Sequence, residues 1–305
     1  MNKIAFYCDF GKIQGHGHFS RQLNLYKSLS KKNKCFFLFT KKQIVNAKKI
    51  YNKAEFIKTN NILDHNQNLK ILKKNNISII IIDSYLISYK DEINYKKNNI
   101  FVISFDDFNR SHGSNLVFTS INFVNKNKNN LKSQYWFYGH KYNLIQKPKI
   151  KKVQKNKILI HGGGQSHYEL FEEFLNETIN FFTNKKYSID ILSTSKKSRN
   201  FLKFKILKKT KNKKINIINY IDNLSNNLST YEIVCGPLGV TTFETILSKT
   251  LPVTFSINKD KYYNLSDWIK LNHLMHLKFF EKKNPTLIRK LWEYTIKNYL
   301  ILKKN

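Results

Sequence analysis

The sequence predicts an α/β protein of two lobes, each an open parallel sheet with helices between its strands. A length of 305 residues exceeds the usual size of one domain, and two domains of about 150 residues are the expectation. Short apolar runs alternate with segments of helical periodicity along the whole chain, which is typical of parallel βαβ units. A lysine-rich stretch at 143–157, containing Pro148, interrupts this alternation near the middle and predicts a linker.

Apolar runs bounded by polar or glycine-containing segments predict the strands of the first lobe. Between them lie stretches with helical spacing, such as residues 19–29, which follow the first strand after a glycine-containing loop. The predicted strands are 4–8, 35–39, 77–83, 101–107 and 116–123.

The same pattern restarts after the linker and predicts a second open sheet. We expect a first lobe over 1–147, a second over 155–283 and a C-terminal helix over 284–305, whose amphipathic part at 286–302 could pack back across the first lobe. Ligands of such folds bind at the carboxyl ends of the strands, here in a cleft between the lobes. The predicted strands are 158–164, 187–193, 214–221, 231–236 and 251–257.

The chain is strongly basic, with a formal net charge of +34. Such a charge favours nucleic acid or an anionic membrane surface as a partner. Only four of the basic residues are arginines, the residue that contacts phosphate and guanine in a bidentate manner, and the lysines are spread over the whole chain. We therefore expect a solvated lysine surface without a specific nucleic-acid partner, and a nucleic-acid-binding protein stays a minor alternative.

Cysteine usage and hydropathy indicate the expected compartment and the absence of metal chemistry. Cys8, Cys35 and Cys235 lie in apolar runs without CxxC spacing, which favours buried thiols over disulfides or metal ligands. No run of 18 apolar residues and no secretory signal is present, so we expect a cytoplasmic protein. Neither a D-x-D motif nor a His/Cys cluster occurs, and we expect no metal and no cofactor.

The first candidate motif is Gly15-His16-Gly17-His18, directly after the first strand and before a helix. The glycines permit a tight turn and a close approach of backbone N–H groups to a ligand. His18 falls near the helix N-terminus, where a neutral imidazole is favoured over the cation, as a general base requires. A glycine turn with two surface histidines is the equally weighted alternative.

Carboxylates follow the third and fourth predicted strands. Asp83 and Tyr85 come after one strand, and Asp106 and Asp107 after the next. Since carboxyl ends of parallel strands share one edge, we expect these side chains to converge with His18. Each aspartate taken alone is also explained as a helix N-cap or turn residue.

Two glycine loops at helix starts mark the second lobe. One is Gly162–Gly164, and the other precedes a helix that starts near Val240 with Thr241 and Thr242 in its first turn. Backbone donors, the helix dipole and threonine hydroxyls together suit a diphosphate, and Glu244 is placed to accept from ribose hydroxyls. The alternative is an ordinary capping box in which Glu244 serves the helix end.

These pieces in this order resemble the GT-B-fold nucleotide-sugar enzymes. The chain is most similar to the UDP-sugar hydrolases of pseudaminic acid biosynthesis, which release UDP from UDP-2,4-diacetamido-2,4,6-trideoxy-β-L-altrose. The resemblance covers roughly residues 4–275 and implies two Rossmann-like lobes of the GT-B type with a cleft between them. It depends on the segments GHGHFSRQL, IIIDSYLIS, ISFDDF, YGHKYNLI, HGGG and GVTTFETILSK.

The resemblance implies that water attacks the anomeric carbon of a UDP-sugar and that UDP leaves into the second lobe. His18 matches the catalytic histidine of the family. Asn264 stands alone where the family has an Asn-Gln pair, and Gly164-Gln165-Ser166 lacks the aspartate that usually follows the glycines. The expected substrate-binding residues are Gly15, Gly17, Arg21, Asp83, Tyr85 and Asn264. The expected nucleotide-binding residues are Gly163, Gly164, Gly239, Val240, Thr241, Thr242 and Glu244.

A glycosyltransferase of the same fold, with a sugar or lipid-linked acceptor in place of water, is the alternative function. The segment 122–138 carries aromatic residues and lysines that suit peripheral membrane contact, although an ordinary solvated loop explains them too. Both functions share a UDP-sugar as the expected partner.

Overall fold

The structure is a computed structural model, and its chain divides into two compact units, Met1–Leu144 and Ile145–Asn305. No helix in the described part of the chain is both long and apolar enough to cross a membrane. The residues that the structure describes are 2–11, 17–107, 110–119, 135–138, 142, 144–145, 148–163, 168, 172–207, 214–221, 223–237, 239–255, 275–277 and 285–299.

One parallel sheet of seven strands organises the first unit, in the order β3-β2-β1-β4-β5-β6-β7. The strands are β1 Lys3–Cys8, β2 Lys34–Thr40, β3 Phe56–Thr59, β4 Ile79–Asp83, β5 Phe101–Asp106, β6 Leu116–Thr119 and β7 Tyr135–Tyr138. The helices are α1 Gly17–Leu29, α2 Lys41–Ile50, α3 His65–Lys74 and α4 Tyr89–Lys97. The strand order reverses between β1 and β4, which opens a crevice at their carboxyl ends.

The central strands of this sheet are mostly apolar because both of their faces are covered. Residues 4–8 and 80–83 are buried without interruption, as expected for a parallel sheet packed on both sides. One face packs an aromatic cluster that includes Phe6 and Phe37, and the other packs residues such as Tyr95. The sheet, packed on both faces, thereby fixes the starting points of the loops that leave its carboxyl edge.

A parallel sheet of six strands organises the second unit, in the order β10-β9-β8-β11-β12-β13. The strand order of this sheet reverses between β8 and β11. The strands are β8 Lys157–His161, β9 Ser188–Leu192, β10 Ile215–Ile218, β11 Ile233–Pro237, β12 Leu251–Phe255 and β13 Met275–Leu277. The helices are α5 Glu172–Asn184, α6 Lys196–Phe201 with a π-helical extension Leu202–Leu207, α7 Leu224–Asn227 with a 3-10 turn Leu228–Thr230, α8 Val240–Leu247 and α9 Pro285–Lys297.

The C-terminal helix α9 belongs to the core of the second unit. Trp292 is completely buried, and its indole Nε1 donates to Thr178 Oγ1 of α5 at 2.9 Å. Ile288 joins the same apolar cluster. The apolar side of α9 is therefore packed against α5 within the second unit. The expected contact of this tail with the first lobe stays a prediction.

Three short strands were not predicted from the sequence. Strands β3, β7 and β13 have three or four residues each and lie at the edges of their sheets. Runs of this length carry too few residues for a periodic signal, and pairing with a neighbouring strand defines them.

Replacing Trp292 tests the packing of α9. We expect Trp292→Ala to lower the free energy of unfolding of the second unit by about 3–5 kcal/mol, because it removes a fully buried indole. Tyr294→Ala on the exposed side of the same helix is the control, with an expected change below about 0.5 kcal/mol. Guanidinium unfolding followed by circular dichroism measures both, and equal effects of the two variants would contradict the packing described.

Candidate active site

The first candidate site lies at the carboxyl edge of β1 and β4, where the strand order of the first unit reverses. His18 is the second residue of α1, the helix that follows β1, and Asp83 is the last residue of β4. The two residues are 65 positions apart in sequence and are brought together by the parallel pairing of β1 with β4.

His18 is oriented by Asp83 through one ring nitrogen. Nδ1 lies 2.6 Å from Asp83 Oδ1 and 2.9 Å from the Asp83 carbonyl oxygen. Since both neighbours are acceptors, the Nδ1 atom carries a proton and donates. Nε2 has no hydrogen-bond partner among the described residues, so its lone pair is available to a ligand when the imidazole is neutral.

The carboxylate of Asp83 is completely buried and fully engaged by neighbouring donors. Arg21 donates to it through Nε and Nη2, and Gln22 Nε2 donates to Oδ2 at 2.9 Å. Although burial raises the pKa of Asp83, the charge and hydrogen bonds of Arg21 lower it well below its usual range. Because this carboxylate has no exposed surface in the described structure, we assign to it the positioning of His18. The expected contact of Asp83 with substrate stays a prediction.

The protonation of His18 also differs from the expectation. Burial lowers the pKa of His18, but the hydrogen bond to Asp83 and the charge of that carboxylate outweigh burial and raise it above its ordinary value of 6.5. The helix N-terminus therefore does not lower the pKa of this imidazole below its ordinary value, because an anion at hydrogen-bond distance acts more strongly than the partial charge of a helix end.

Tyr85 and Asp107 complete the exposed side of this site. The Tyr85 ring meets the His18 ring edge to face at 4.6 Å between centroids, and its hydroxyl donates to Asp107 Oδ2 at 3.1 Å. Asp107 Oδ1 also accepts from Arg21 Nη1 at 2.9 Å. Tyr85 is 43% exposed and so remains accessible beside the imidazole.

Asp9 fixes the turn after β4 and was not singled out from the sequence. Its Oδ1 accepts from Ser84 Oγ at 2.5 Å, and its Oδ2 accepts from the Tyr85 backbone N–H at 2.9 Å. The available signal was its position directly after β1, the same kind of position that drew attention to Asp83.

Asp106 does not join the group around His18 and instead belongs to a second buried cluster. Its carboxylate accepts from Arg110 Nε at 3.1 Å and lies 3.5 Å from Nε2 of His112, whose Nδ1 lies 2.7 Å from Glu92 Oε1. Burial lowers the pKa of His112, but the two carboxylates raise it to about 9. His112 is thus a buried cation at neutral pH that ties the loop after β5 to α4, a contact with no local sequence signal.

The expected convergence is therefore correct for Asp83, Tyr85 and Asp107 and wrong for Asp106. Gly17, the first residue of α1, has no described atom within 4 Å of the position that a Cβ would take. Arg21 holds Asp83 and Asp107 together, so most of its donors are used inside the protein.

In the second unit, the predicted glycine loops again lie at the carboxyl edge of the sheet. Gly163 follows β8 with a left-handed φ of 74°, which glycine adopts without strain. Gly239 precedes α8, and its N–H donates to Thr242 Oγ1 at 3.3 Å, so Thr242 caps the helix. Thr241 and Val240 lie in the partly exposed first turn.

Glu244 stands one turn into α8 and does not cap the helix. Its carboxylate has no hydrogen-bond or ion-pair partner among the described residues, and burial raises its pKa above the ordinary value. Its oxygens are not among the buried atoms that lack a partner, so solvent or a ligand can supply their donors.

Some expected site residues lie outside the described residues, namely Gly15, Gly164 and Asn264, and so does most of the segment 122–138. Within the described part of the chain, no group of three or more His, Cys, Asp or Glu side chains is arranged to hold a metal ion. Metal independence stays a prediction.

Comparisons with known proteins show a similarity of fold. No protein-family profile and no curated protein matches the sequence. MurG from Acinetobacter baumannii superposes with a TM-score of 0.69 at 11% identity, covering 100% of this chain and 93% of that one. The glycotransferase of kitacinnamycin superposes with a TM-score of 0.70 at 10% identity, covering 99% of this chain and 94% of that one. The co-structure of S. aureus MnaA with UDP superposes with a TM-score of 0.67 at 10% identity, covering 99% of this chain and 90% of that one.

At such identities the likeness concerns the fold. Two parallel sheets with alternating helices, in the strand orders given above, match these solved structures over nearly their whole length. The chain therefore has the GT-B fold, with two Rossmann-like lobes.

Proposed function

We propose that the chain is a nucleotide-sugar enzyme in which His18 activates an O–H nucleophile for attack at the anomeric carbon of a UDP-sugar. The observation that carries this proposal is the pair of His18 and Asp83. A buried carboxylate holds Nδ1 at 2.6 Å, and Nε2 is left without a partner among the described residues. This arrangement suits a general base whose conjugate acid is stabilised by the neighbouring anion.

The proton balance of the reaction follows from this geometry. A water or hydroxyl oxygen donates its proton to His18 Nε2 as it bonds to the anomeric carbon, and the bond from that carbon to the diphosphate oxygen breaks. The resulting imidazolium is stabilised by Asp83, which stays ionised because Arg21 and Gln22 donate to it. Tyr85, which is exposed beside the imidazole, is assigned to the sugar.

We assign the nucleotide half to the second unit. The start of α8 supplies backbone donors and a positive dipole end for a diphosphate, and Gly163 allows close approach of the backbone. Glu244, which has no donor of its own among the described residues, is assigned to the ribose hydroxyls. Gly239 has open space at its Cβ position, which agrees with a ligand close to the backbone there.

The nucleophile decides between two activities, and water is our first assignment, as in a hydrolase. A glycosyltransferase is supported by similar structures that include MurG and a glycotransferase. A panel of UDP-sugars, with and without added acceptor sugars, distinguishes the two. Release of UDP without acceptor indicates the hydrolase, release only with acceptor indicates the transferase, and no turnover of any UDP-sugar in either condition contradicts the proposal.

Replacing His18 tests the general base. With a UDP-sugar that turns over, His18→Asn is expected to lower kcat by ~10²–10⁴ while leaving UDP affinity nearly unchanged, because the nucleotide is assigned to the second unit. His16→Asn, two positions away in the same motif, is the matched control and is expected to have little effect. Full turnover of His18→Asn, or a loss mainly of UDP binding, would show that the mechanism is wrong.

The pH dependence tests the contact between His18 and Asp83. Because the base must be unprotonated and Asp83 raises its pKa, we expect kcat/KM to rise with pH through an apparent pKa above 6.5. Asp83→Asn removes the stabilising charge while burial remains, and the apparent pKa should fall below that of the wild type. Asp107→Asn keeps the carboxylate of Asp83 and should shift the apparent pKa of the kcat/KM profile less than Asp83→Asn does. An unchanged profile in a folded Asp83→Asn variant would rule out this pair as the titrating unit.

A further inference from the structure

His161 is a buried histidine that the proposed function does not use. It is the last residue of β8, and only 6% of its surface is exposed. It lies at the reversal of strand order between β8 and β11, the position where sheets of this kind bind ligands. His161 therefore lies at the carboxyl edge of the sheet of the second unit, as Asp83 does in the first unit.

The hydrogen bonding of His161 fixes its tautomer. The Gly163 backbone N–H donates to Nδ1 at 3.3 Å, so Nδ1 is an acceptor and the ring proton sits on Nε2. Burial lowers the pKa of His161 to about 4, so the ring is neutral at neutral pH. The Nε2–H group is thus a fixed donor, and it has no acceptor among the described residues.

Two glycines make room for this ring. A Cβ on Gly236 would lie 2.2 Å from Nε2 and 2.4 Å from both Cδ2 and Cε1 of His161. Such similar distances to three ring atoms place Gly236 against the face of the imidazole, so the Nε2–H bond in the ring plane is not directed at it. Gly163, whose N–H donates to Nδ1 of the same ring, has the left-handed conformation noted above.

His161 and α8 share one face of the sheet. Strand side chains alternate, so His161 faces the same side as Leu159, which packs with Leu228 and Val234. Helix α8 packs against α7 and the 3-10 turn that contains Leu228, on that same side. The chain also runs from Gly236 to the start of α8 at Val240 in four residues. The donor therefore lies at the same edge and on the same face as the helix N-terminus.

We propose that His161 is a further ligand-binding residue that donates from Nε2 to an anionic oxygen of the diphosphate of a nucleoside diphosphate. This deepens the proposed function and rests on it. An anionic oxygen at this edge would accept from Nε2, and the α8 N-terminus would stabilise the same charge. The neutral ring makes the contact independent of pH in the range where His18 titrates.

The test measures the affinity of the full chain for UDP and for uridine, which lacks the diphosphate. Calorimetry is used for UDP and ligand-observed NMR for uridine. His161→Phe keeps an aromatic ring in the space over Gly236 and removes the donor. We expect it to weaken UDP binding by roughly tenfold to a hundredfold, the range for a hydrogen bond to a charged group, with uridine binding unchanged.

Two further variants give a second test of the geometry and a control for structural effects. Gly236→Ala introduces a Cβ where the imidazole lies and should weaken UDP binding in the same way. Ser193→Ala changes a completely buried side chain just after β9 and should leave UDP affinity unaltered, since Ser193 follows Leu192 and faces the other side of the sheet. Circular dichroism confirms that each variant is folded.

The outcomes separate the two proposals. If the wild-type chain does not bind UDP, both the nucleotide assignment and this inference are wrong. If the wild type binds UDP and a folded His161→Phe variant binds it equally well, only this inference is overturned. If His161→Phe weakens uridine binding as much as UDP binding, His161 acts on the structure of the site and not on the diphosphate, and the inference is again overturned.

Discussion

The buried carboxylate of Asp83 is the constraint on which the candidate site depends. A carboxylate without solvent must be compensated, because an unpaired buried charge is strongly destabilising. Arg21 and Gln22 of α1 supply that compensation, and they fix the helix against the end of β4. The same carboxylate then orients His18, so one buried anion sets both the position of the helix and the basicity of the imidazole.

The loop after β5 extends this arrangement outward. Asp107 contacts Arg21 and Tyr85, whereas its neighbour Asp106 is held by Arg110 and by the protonated His112. Adjacent aspartates thus serve two clusters, one at the exposed site and one inside the unit. The inner cluster keeps the backbone of this loop in place, and the outer aspartate can therefore position the tyrosine hydroxyl.

The two units differ in their electrostatics in a way that suits different tasks. In the first unit, His18 faces an anion, which favours acceptance of a proton. In the second, His161 is buried without a carboxylate and its pKa falls to about 4, which suits a permanent neutral donor. Glu244 of α8, which has no partner among the described residues, adds an acceptor in the same unit. We relate the first environment to proton transfer and the second to binding of a nucleotide.

The sequence by itself determined the fold class, since continuous apolar strands alternating with amphipathic helices leave few alternatives to parallel sheets. It also pointed to His18, Asp83 and Glu244, because residues at strand ends and helix starts are recognisable locally. Only the tertiary structure decided which residues meet. The burial of Asp83, the raised pKa of His18 and the pairing of His112 with Glu92 each depend on contacts between distant segments. Burial and opposite charge act through space, and no local pattern in the chain records them.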